Sequence, residues 1–299
     1  MENLASAGRW ERHRRIFEEY LEGLRFTEEP ALERLQEAMR YSLLAGGKRV
    51  RPLLCMESAR LFGAPPERVL PSAAAIELIH TYSLIHDDLP AMDNDDFRRG
   101  RPTSHKKFGE AMAILAGDAF FGEALTLITV RQEGTCEQRL GVVQELASST
   151  GVNGMVGGQV LDMDQTGAGG SADPGMLFMI HRYKTGALIR SSARVGAILA
   201  GAGEEGLEAI SRYATELGLC FQIVDDVLDA VGSSERLGKR AGGDAERGKA
   251  TFVSVFGLEG ARREADAACE RALRALGRLE GRDTSALGEL ALFVRHRGS

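Results

Sequence analysis

Long segments with helical spacing most constrain what this 299-residue chain can fold into. Ala, Leu, Glu and Arg fill these segments, and the apolar residues recur with the 3.6-residue period of an α-helix. Aromatic residues make up only 6% of the chain, and the strict alternation typical of strands is rare. We therefore predict an all-α fold with more helices than a four-helix bundle. The predicted helices cover residues 9–25, 31–44, 52–61, 71–89, 111–130, 137–149, 176–199, 206–230 and 258–279.

Short glycine-rich breaks separate these helices, for example at Gly46-Gly47 and in the segment 232–248. No break is long or biased enough to be a linker between domains, and no internal repeat of fixed period is present. The sequence therefore predicts one large helical bundle that forms a single domain over residues 1–299.

The charge balance and the cysteines exclude several classes of protein. Lys and Arg total 37 against 43 Asp and Glu, so the net charge of -6 argues against a nucleic-acid or anionic-membrane surface. The four widely spaced cysteines form no C-x-x-C pair, which argues against a zinc site or a disulfide framework and fits a reducing cytoplasm. No run reaches the roughly 20 apolar residues that a membrane span needs, so we expect no membrane span.

An aspartate cluster with the sequence DDLPAMD, from Asp87 to Asp93, follows the apolar stretch 73–85. Its first carboxylates lie at the carboxyl end of a predicted helix, where the helix dipole disfavours negative charge unless a cation compensates it. Pro90 cannot continue the helix, so the chain turns and can bring Asp93 back toward Asp87. A solvated acidic helix end is the alternative, whereas a calcium loop fails because Phe97 and Arg98 stand where an oxygen ligand and a glycine are needed.

A second cluster, FQIVDDVLD from Phe221 to Asp229, lies in a strongly apolar segment. Asp225 and Asp229 are one helical turn apart, about 6 Å along the axis, on one face. Carboxylates among apolar neighbours are costly to bury unpaired, so a metal or a basic partner is implied. Either cluster alone leaves a structural role equally open, but together they indicate a shared site for a hard, oxygen-seeking cation such as magnesium.

Basic residues lie close to glycines at several places. GGKRVRP, residues 46–52, combines two glycines, which let backbone N–H groups approach an anion, with three cations in four positions. The segment RRGRP follows the first aspartate cluster, and KTG at Lys184 and the segment 239–249 add further candidates. A lone charge run is usually a solvated surface, but the glycines and the nearby carboxylates favour phosphate binding.

In these residues the sequence resembles the trans-isoprenyl diphosphate synthases, the family of farnesyl and geranylgeranyl diphosphate synthases. The resemblance covers most of the chain and keeps the family's order of motifs, while the tail RHRGS matches the family's basic carboxyl end only loosely. The matching motifs are GGKRVRP from Gly46, IHDDLPAMDNDDFRRGRPTSH from Ile85, AILAGDA from Ala113, GMVGGQ from Gly154, KTGAL from Lys184, FQIVDDVLD from Phe221 and LGKRAGGDAERGKATF from Leu237.

The resemblance implies an isoprenoid synthase fold around a central cavity, a homodimer, and isoprenyl diphosphates as small-molecule substrates. It implies roughly three magnesium ions in each site, replaceable by manganese. The allylic diphosphate ionises, isopentenyl diphosphate attacks the cation, and a proton leaves. The metal-binding residues implied are Asp87, Asp88, Asp93, Asp225, Asp226 and Asp229. Residues implied to stabilise the departing diphosphate or the cation are Arg98, Lys184, Thr185, Gln222, Lys239 and Lys249. Isopentenyl diphosphate would be held by Gly47, Lys48, Arg51, His80 and Arg99; without the resemblance, His80 would be taken for a core histidine.

The product length is predicted from two residues on the helix that precedes Asp87. Ser83 lies about one turn before Asp87 on nearly the same face, and Tyr82, about 7.5 Å from Asp87 along the axis, is the first bulky side chain at that depth. In the family that the chain resembles, an aromatic residue here beside the two-residue insertion of DDLPAMD is typical of bacterial farnesyl diphosphate synthases. We predict a farnesyl product, with geranylgeranyl diphosphate as the alternative, and ordinary core packing is the alternative role for Tyr82.

Other classes of function compete with this interpretation. A P-loop nucleotide-binding protein is suggested by GDAERGKA, residues 243–250, but Ala250 replaces the required hydroxyl and no strand precedes it. A non-catalytic helical scaffold would use the charges as surface ion pairs, which contribute about 0–1 kcal/mol each and need no glycine cradles. A terpene cyclase needs no second diphosphate site, so GGKRVRP favours chain elongation.

Overall fold

A computed structural model of the chain describes residues 2–166, 173–231 and 249–297, with side chains from residue 8. Helices make up nearly all the regular structure in these ranges, which confirms the predicted all-α fold. The helices are α1 (Glu2–Glu22), α2 (Glu33–Leu43), α3 (Val50–Leu61), α4 (Leu70–Asp87), α5 (Ser104–Phe108), α6 (Glu110–Thr126), α7 (Cys136–Thr150), α8 (Met155–Gln165), α9 (Pro174–His181), α10 (Ala187–Leu199), α11 (Glu204–Val231), α12 (Phe252–Leu276) and α13 (Ser285–His296).

Short 3-10 helices at Pro30–Leu32 and Pro66–Val69 and π-helical turns at Leu127–Arg131 and Arg182–Gly186 complete the helical structure of the described ranges. The strands in these ranges are two residues long, β1 (Phe97–Arg98) and β2 (Arg101–Pro102), and they pair antiparallel.

Each predicted helix is present, with shifted ends. The largest shift is at α1, which starts at Glu2 rather than Arg9. α12 starts at Phe252 but is interrupted at Gly257, directly before the predicted start at Leu258. The helix predicted over residues 176–199 is interrupted by a π-helical turn, and α5, α8 and α13 were not predicted.

The helices that carry the two aspartate clusters lie in two buried hydrophobic clusters. α4 buries Ile76 and Ile79 in one of them, where it packs against α3 and α6. α11 buries Leu217 and Ile223 in the other, where it packs against α10 and α12. Each set of carboxylates is therefore fixed to a core helix, so the positions of the aspartates are set by hydrophobic packing.

Candidate active site

The first aspartate cluster forms a tight turn at the end of α4. The Asp93 N–H donates to the Asp87 carbonyl at 2.8 Å, and the Asn94 N–H donates to the Leu89 carbonyl at 3.1 Å. Asn94 has a φ of 51°, in the left-handed region that asparagine tolerates better than most residues. These bonds confirm the predicted return of the chain toward Asp87 after Pro90.

The two leading carboxylates of this turn have different surroundings. Asp88 is buried and accepts hydrogen bonds of 2.6, 2.8 and 2.9 Å from the Arg98 guanidinium, a charge-assisted fork. Burial raises the pKa of Asp87 to about 6; Lys184 opposes this rise, and Asp93 reinforces it. Arg98 therefore pairs with Asp88, while Asp87 carries a charge that its surroundings compensate only in part.

In the second cluster, Asp226 fixes the start of α12. Its carboxylate is 4% exposed and accepts from the Phe252 N–H at 2.8 Å and from the Gln222 amide at 3.3 Å. A carboxylate at a helix N-terminus satisfies an N–H group that has no partner within the helix. The contact also places Lys249, three residues before Phe252, at the site.

The carboxyl-terminal tail reaches the same cluster. Arg297 lies 3.3 Å from Asp225 and 4.1 Å from the centre of the Phe221 ring. Asp225 is the more exposed partner at 40%, against 8% for Arg297, and Asp229 is buried. Although the tail matches the family only loosely, one of its arginines is held at this site.

Two lysines meet at one carboxylate beside the first aspartate cluster. Lys249 Nζ lies 3.3 Å from Asp93 Oδ1 and 3.4 Å from Asp162 Oδ2. Lys184 Nζ lies 2.7 Å from the same oxygen of Asp162. The sequence analysis missed Asp162; the available signal was its position three residues after Gln159, which ends the GMVGGQ motif.

A π-helical turn carries Lys184 and Thr185, as such turns often do at functional sites. The Thr185 hydroxyl donates to Gln222 Oε1 at 2.9 Å, and the amide of Gln222 reaches Asp226. A Cβ on Gly158 would lie 2.2 Å from the Lys184 nitrogen. The structure thus brings Thr185 and Gln222 together, and Gly158 of the GMVGGQ motif lets α8 pack directly on this turn.

Four of the five residues predicted to hold isopentenyl diphosphate adjoin one another. The Arg99 guanidinium donates to the Gly46 carbonyl, and a Cβ on Gly47 would lie 2.8 Å from that guanidinium. Arg51 lies 3.4 Å from His80 Nε2. Burial lowers the pKa of His80 well below its usual range, and Arg51 and Arg99 lower it further, so the ring is neutral at pH 7.

The cations of GGKRVRP do not share one role, which corrects the interpretation of all three as an anion cradle. Arg49 is buried and pairs with Glu77 at 2.6 Å and with Glu18 at 2.9 Å, so it ties this loop to α4 and α1. The Lys48 side chain reaches solvent, and partial burial together with nearby Arg297 lowers its pKa, while Asp225 opposes this shift. The fold therefore brings this loop near an aspartate that lies far away in sequence.

The predicted chain-length residues lie one turn below Asp87. The Tyr82 ring makes edge contacts with Phe121 and His86, with ring centres 6.2 and 5.8 Å apart. The Ser83 hydroxyl donates to the His80 carbonyl at 2.8 Å, within α4. Tyr82 of α4 is thus the large side chain at this depth, and its ring packs against α6.

The donor set at this site fits magnesium, because carboxylate oxygens are the ligands that a hard cation prefers, together with water and substrate phosphates. Burial raises the pKa of Asp87, and a divalent cation beside this carboxylate would lower that pKa again. Within the described ranges no three His, Cys, Asp or Glu side chains are grouped to hold a metal ion. Lys239, another predicted residue, lies outside the described residues.

Comparison with known proteins agrees with this fold. The chain matches the polyprenyl synthetase family over residues 32–285. The farnesyl diphosphate synthase of Escherichia coli (strain K12) is 47% identical over 266 residues, which cover 87% of this chain and 88% of that protein. A chloroplastic geranylgeranyl pyrophosphate synthase of Catharanthus roseus is 45% identical over 267 residues, 88% of this chain and 74% of that protein. The geranyltransferase of Helicobacter pylori, solved with magnesium and isoprenyl diphosphate, superposes with a TM-score of 0.84 at 29% identity, covering 97% and 96% of the two chains.

The helical fold, the two aspartate clusters and these relatives define a trans-prenyltransferase, which confirms the enzyme class predicted from the sequence. The chain belongs to the polyprenyl synthetase family.

Proposed function

We propose that this enzyme condenses an allylic diphosphate, dimethylallyl or geranyl, with isopentenyl diphosphate to give farnesyl diphosphate and inorganic diphosphate. The observation that carries the proposal is the line of contacts from Asp93 through Lys249 and Asp162 to Lys184. Thr185, the neighbour of Lys184, continues this line through Gln222 to Asp226 in the second aspartate cluster. Along these contacts, the two lysines would attract a highly charged anion, and the aspartates of the two clusters would bind cations. Farnesyl and geranylgeranyl diphosphate synthases among the relatives support this chemistry.

The residues on the allylic side would assist ionisation. As the carbon–oxygen bond breaks, its electron pair leaves with the diphosphate, and Lys184 and Lys249 would stabilise that growing charge. Arg98, paired with Asp88, would add positive charge and hold the aspartate turn in place. Thr185 and Gln222, which share a hydrogen bond, would turn oxygen dipoles toward the allylic cation.

The residues on the other side would bind and orient isopentenyl diphosphate. Lys48, Arg51 and Arg99 would bind its diphosphate, and Gly47 would allow close backbone approach. Neutral His80 would donate or accept a hydrogen bond without adding charge. The double bond would then attack the cation to form a new carbon–carbon bond, and a proton would leave the adjacent carbon for an oxygen of the released diphosphate.

Magnesium would supply the charge that lets two aspartate clusters and a diphosphate share one site. We propose that Asp87, Asp93 and Asp225 would bind it directly, and that Asp88, Asp226 and Asp229 would bind it or the waters around it. The site would hold roughly three ions, and manganese would replace them, because it also takes oxygen ligands. The magnesium in the Helicobacter relative supports this assignment.

The function is tested by incubating the purified chain with isopentenyl diphosphate and each allylic starter, followed by mass spectrometry of the products. Farnesyl diphosphate as the main product is expected. Mainly geranylgeranyl diphosphate would support the alternative product, and no prenyl product from any starter would overturn the proposal. A clear melting shift with micromolar magnesium-ATP would instead favour the P-loop function.

We also propose that the enzyme is a homodimer joined through α6. This helix packs against α4, yet Ile114 is 43% and Leu115 55% exposed. The segment Glu110–Arg131 is long and apolar enough to cross a membrane by length and composition. Asp118 and Glu123 lie in its middle, where a bilayer would make charge costly, so a second copy is the better cover for this face.

Leu115→Asp is expected to convert the dimer to a monomer, because a charge at the centre of an apolar interface loses its water without gaining a partner. Light scattering coupled to gel filtration measures the mass directly. Leu32→Asp is the matched control, since Leu32 is 48% exposed but lies in the short 3-10 turn before α2. A parent chain that is monomeric, or a dimeric Leu115→Asp variant, would contradict this assembly.

Gly117→Ala is expected to lower kcat by about 10- to 100-fold, because displacement of a catalytic group by about 1 Å can have that cost. A Cβ there would lie 2.1 Å from Nε2 of His86, so the histidine side chain must shift, and we expect this shift to reach its neighbour Asp87. Gly122→Ala on the same helix is the control, because nothing lies within 4 Å of its Cβ. Equal rates for the two variants would show that the contact between His86 and Gly117 does not position the turn.

We further propose that the enzyme works in the reducing cytoplasm. All four cysteines are free thiols, and three of them, Cys55, Cys220 and Cys269, are buried. Free buried thiols in a chain without disulfides are typical of proteins from reducing compartments.

A further inference from the structure

Asp162 on α8 is the shared partner of two lysines. Its Oδ2 atom lies 2.7 Å from Lys184 Nζ and 3.4 Å from Lys249 Nζ. Lys184 belongs to the π-helical turn after α9, and Lys249 to the segment before α12. The Asp162 side chain is 17% exposed, and the lysine side chains are 25% and 13% exposed. One carboxylate oxygen thus joins three separate parts of the fold in a poorly solvated place.

The Asp162 carboxylate offsets the repulsion between the two lysine ammonium groups. Two ammonium groups near one point repel each other, and the repulsion is strong where water screens poorly. An anion between them removes the repulsion and fixes both. The two lysines lower the pKa of Asp162 against the rise caused by burial, so the carboxylate is ionised at pH 7.

The packing of α8 holds Asp162 in place. Gly158 lies one helical turn before Asp162 and therefore on the same face. A Cβ at Gly158 would lie 2.2 Å from the backbone nitrogen of Lys184, so α8 touches the π-helical turn directly. The carboxylate projects from a backbone that is already in contact with one of its two partners, so helix packing restricts its position.

We propose that Asp162 is a positioning residue for prenyl transfer, which holds the ammonium groups of Lys184 and Lys249 where the diphosphate leaves. This role rests on the proposed function, because the lysines act on the departing diphosphate. Asp162 acts through the lysines and is assigned no direct contact with substrate. A simple charge effect would act in the opposite direction. Removing a negative charge beside an anion site should by itself strengthen anion binding, whereas loss of a positioning residue should weaken it.

The test compares Asp162→Asn with Asp164→Asn, a matched variant two residues further along α8 whose side chain is exposed. For Asp162→Asn, kcat is expected to fall by about 10- to 100-fold with little change in the KM of isopentenyl diphosphate, while Asp164→Asn matches the parent. Titration calorimetry with inorganic diphosphate and magnesium is expected to show weaker binding to Asp162→Asn. An unchanged kcat, or tighter diphosphate binding, would overturn the role.

A double-mutant cycle separates positioning from general structural support. If Asp162 acts through the lysine, Asp162→Asn costs much less in a Lys184→Gln background than in the parent. Fully additive losses would overturn the proposal. Should Asp162→Asn fold poorly by circular dichroism, Asp162→Glu keeps the charge but moves it, and an undiminished kcat there would also overturn it. If the parent makes no prenyl product, the proposed function fails, and the calorimetry alone then decides whether Asp162 organises an anion site.

Discussion

Replacing Asp87 by asparagine is expected to lower kcat for prenyl transfer by about 1,000-fold without lowering the melting temperature. The amide keeps the shape of the side chain but offers no negative charge to the cations that would bind the allylic diphosphate. The folded protein raises the pKa of Asp87 from 3.8 to about 6, chiefly through burial. Because the folded pKa lies above the unfolded one, the ionised carboxylate destabilises the metal-free fold at pH 7, and the neutral amide removes that cost.

Opposite effects on rate and stability distinguish a functional carboxylate from a structural one. Kinetics measured by diphosphate release, together with thermal melting of the metal-free protein, test both effects. Asp96→Asn is the control, because Asp96 lies in the same loop, is exposed and pairs with Lys106 at 2.7 Å. Asp225→Ala is expected to be nearly as inactive as Asp87→Asn. Full turnover by Asp87→Asn, or by the parent in excess chelator, would refute the metal assignment.

Helical periodicity predicts the long helices of this fold because each buries an apolar stripe against the core. α8 was not predicted because Gly157 and Gly158 lower the helix propensity of its sequence. In the fold, Gly158 is needed for the close packing of α8 on the turn that carries Lys184. α5 is five residues long, too short for a periodic pattern. The π-helical turns depend on hydrogen-bond register, which residue composition does not encode.

In the site, too, some features can be predicted from the sequence and others cannot. Spacing along one helix, as between Asp225 and Asp229, can be read from the sequence, and the turn that returns Asp93 to Asp87 follows from Pro90. Contacts between distant segments cannot be read in this way. Arg49 illustrates the limit: within GGKRVRP it looks like its two neighbouring cations, but the fold buries it between Glu18 and Glu77.

We propose that Tyr82 limits how far a growing isoprenyl chain extends along α4. It lies five residues before Asp87 on α4, about 7.5 Å along the helix axis, and its ring packs edge-on against Phe121 of α6. The ring is half-buried rather than sealed in the core. A product chain that extends down α4 from the diphosphate site would therefore stop against Tyr82, while the Ser83 hydroxyl stays bonded to the His80 carbonyl.

Tyr82→Ala is expected to change the main product from farnesyl diphosphate to chains of twenty carbons or more, with magnesium dependence unchanged. The truncation removes a bulky aromatic ring, and we expect this to open room for at least one further isoprene unit beside Phe121. Mass spectrometry of products from geranyl and isopentenyl diphosphates measures the shift. Tyr20→Ala on α1, which removes another half-buried ring far along the chain from the site, should leave product length unaltered. A Tyr82→Ala variant that loses stability yet still makes farnesyl diphosphate would show that this ring is core packing and that another residue sets the length.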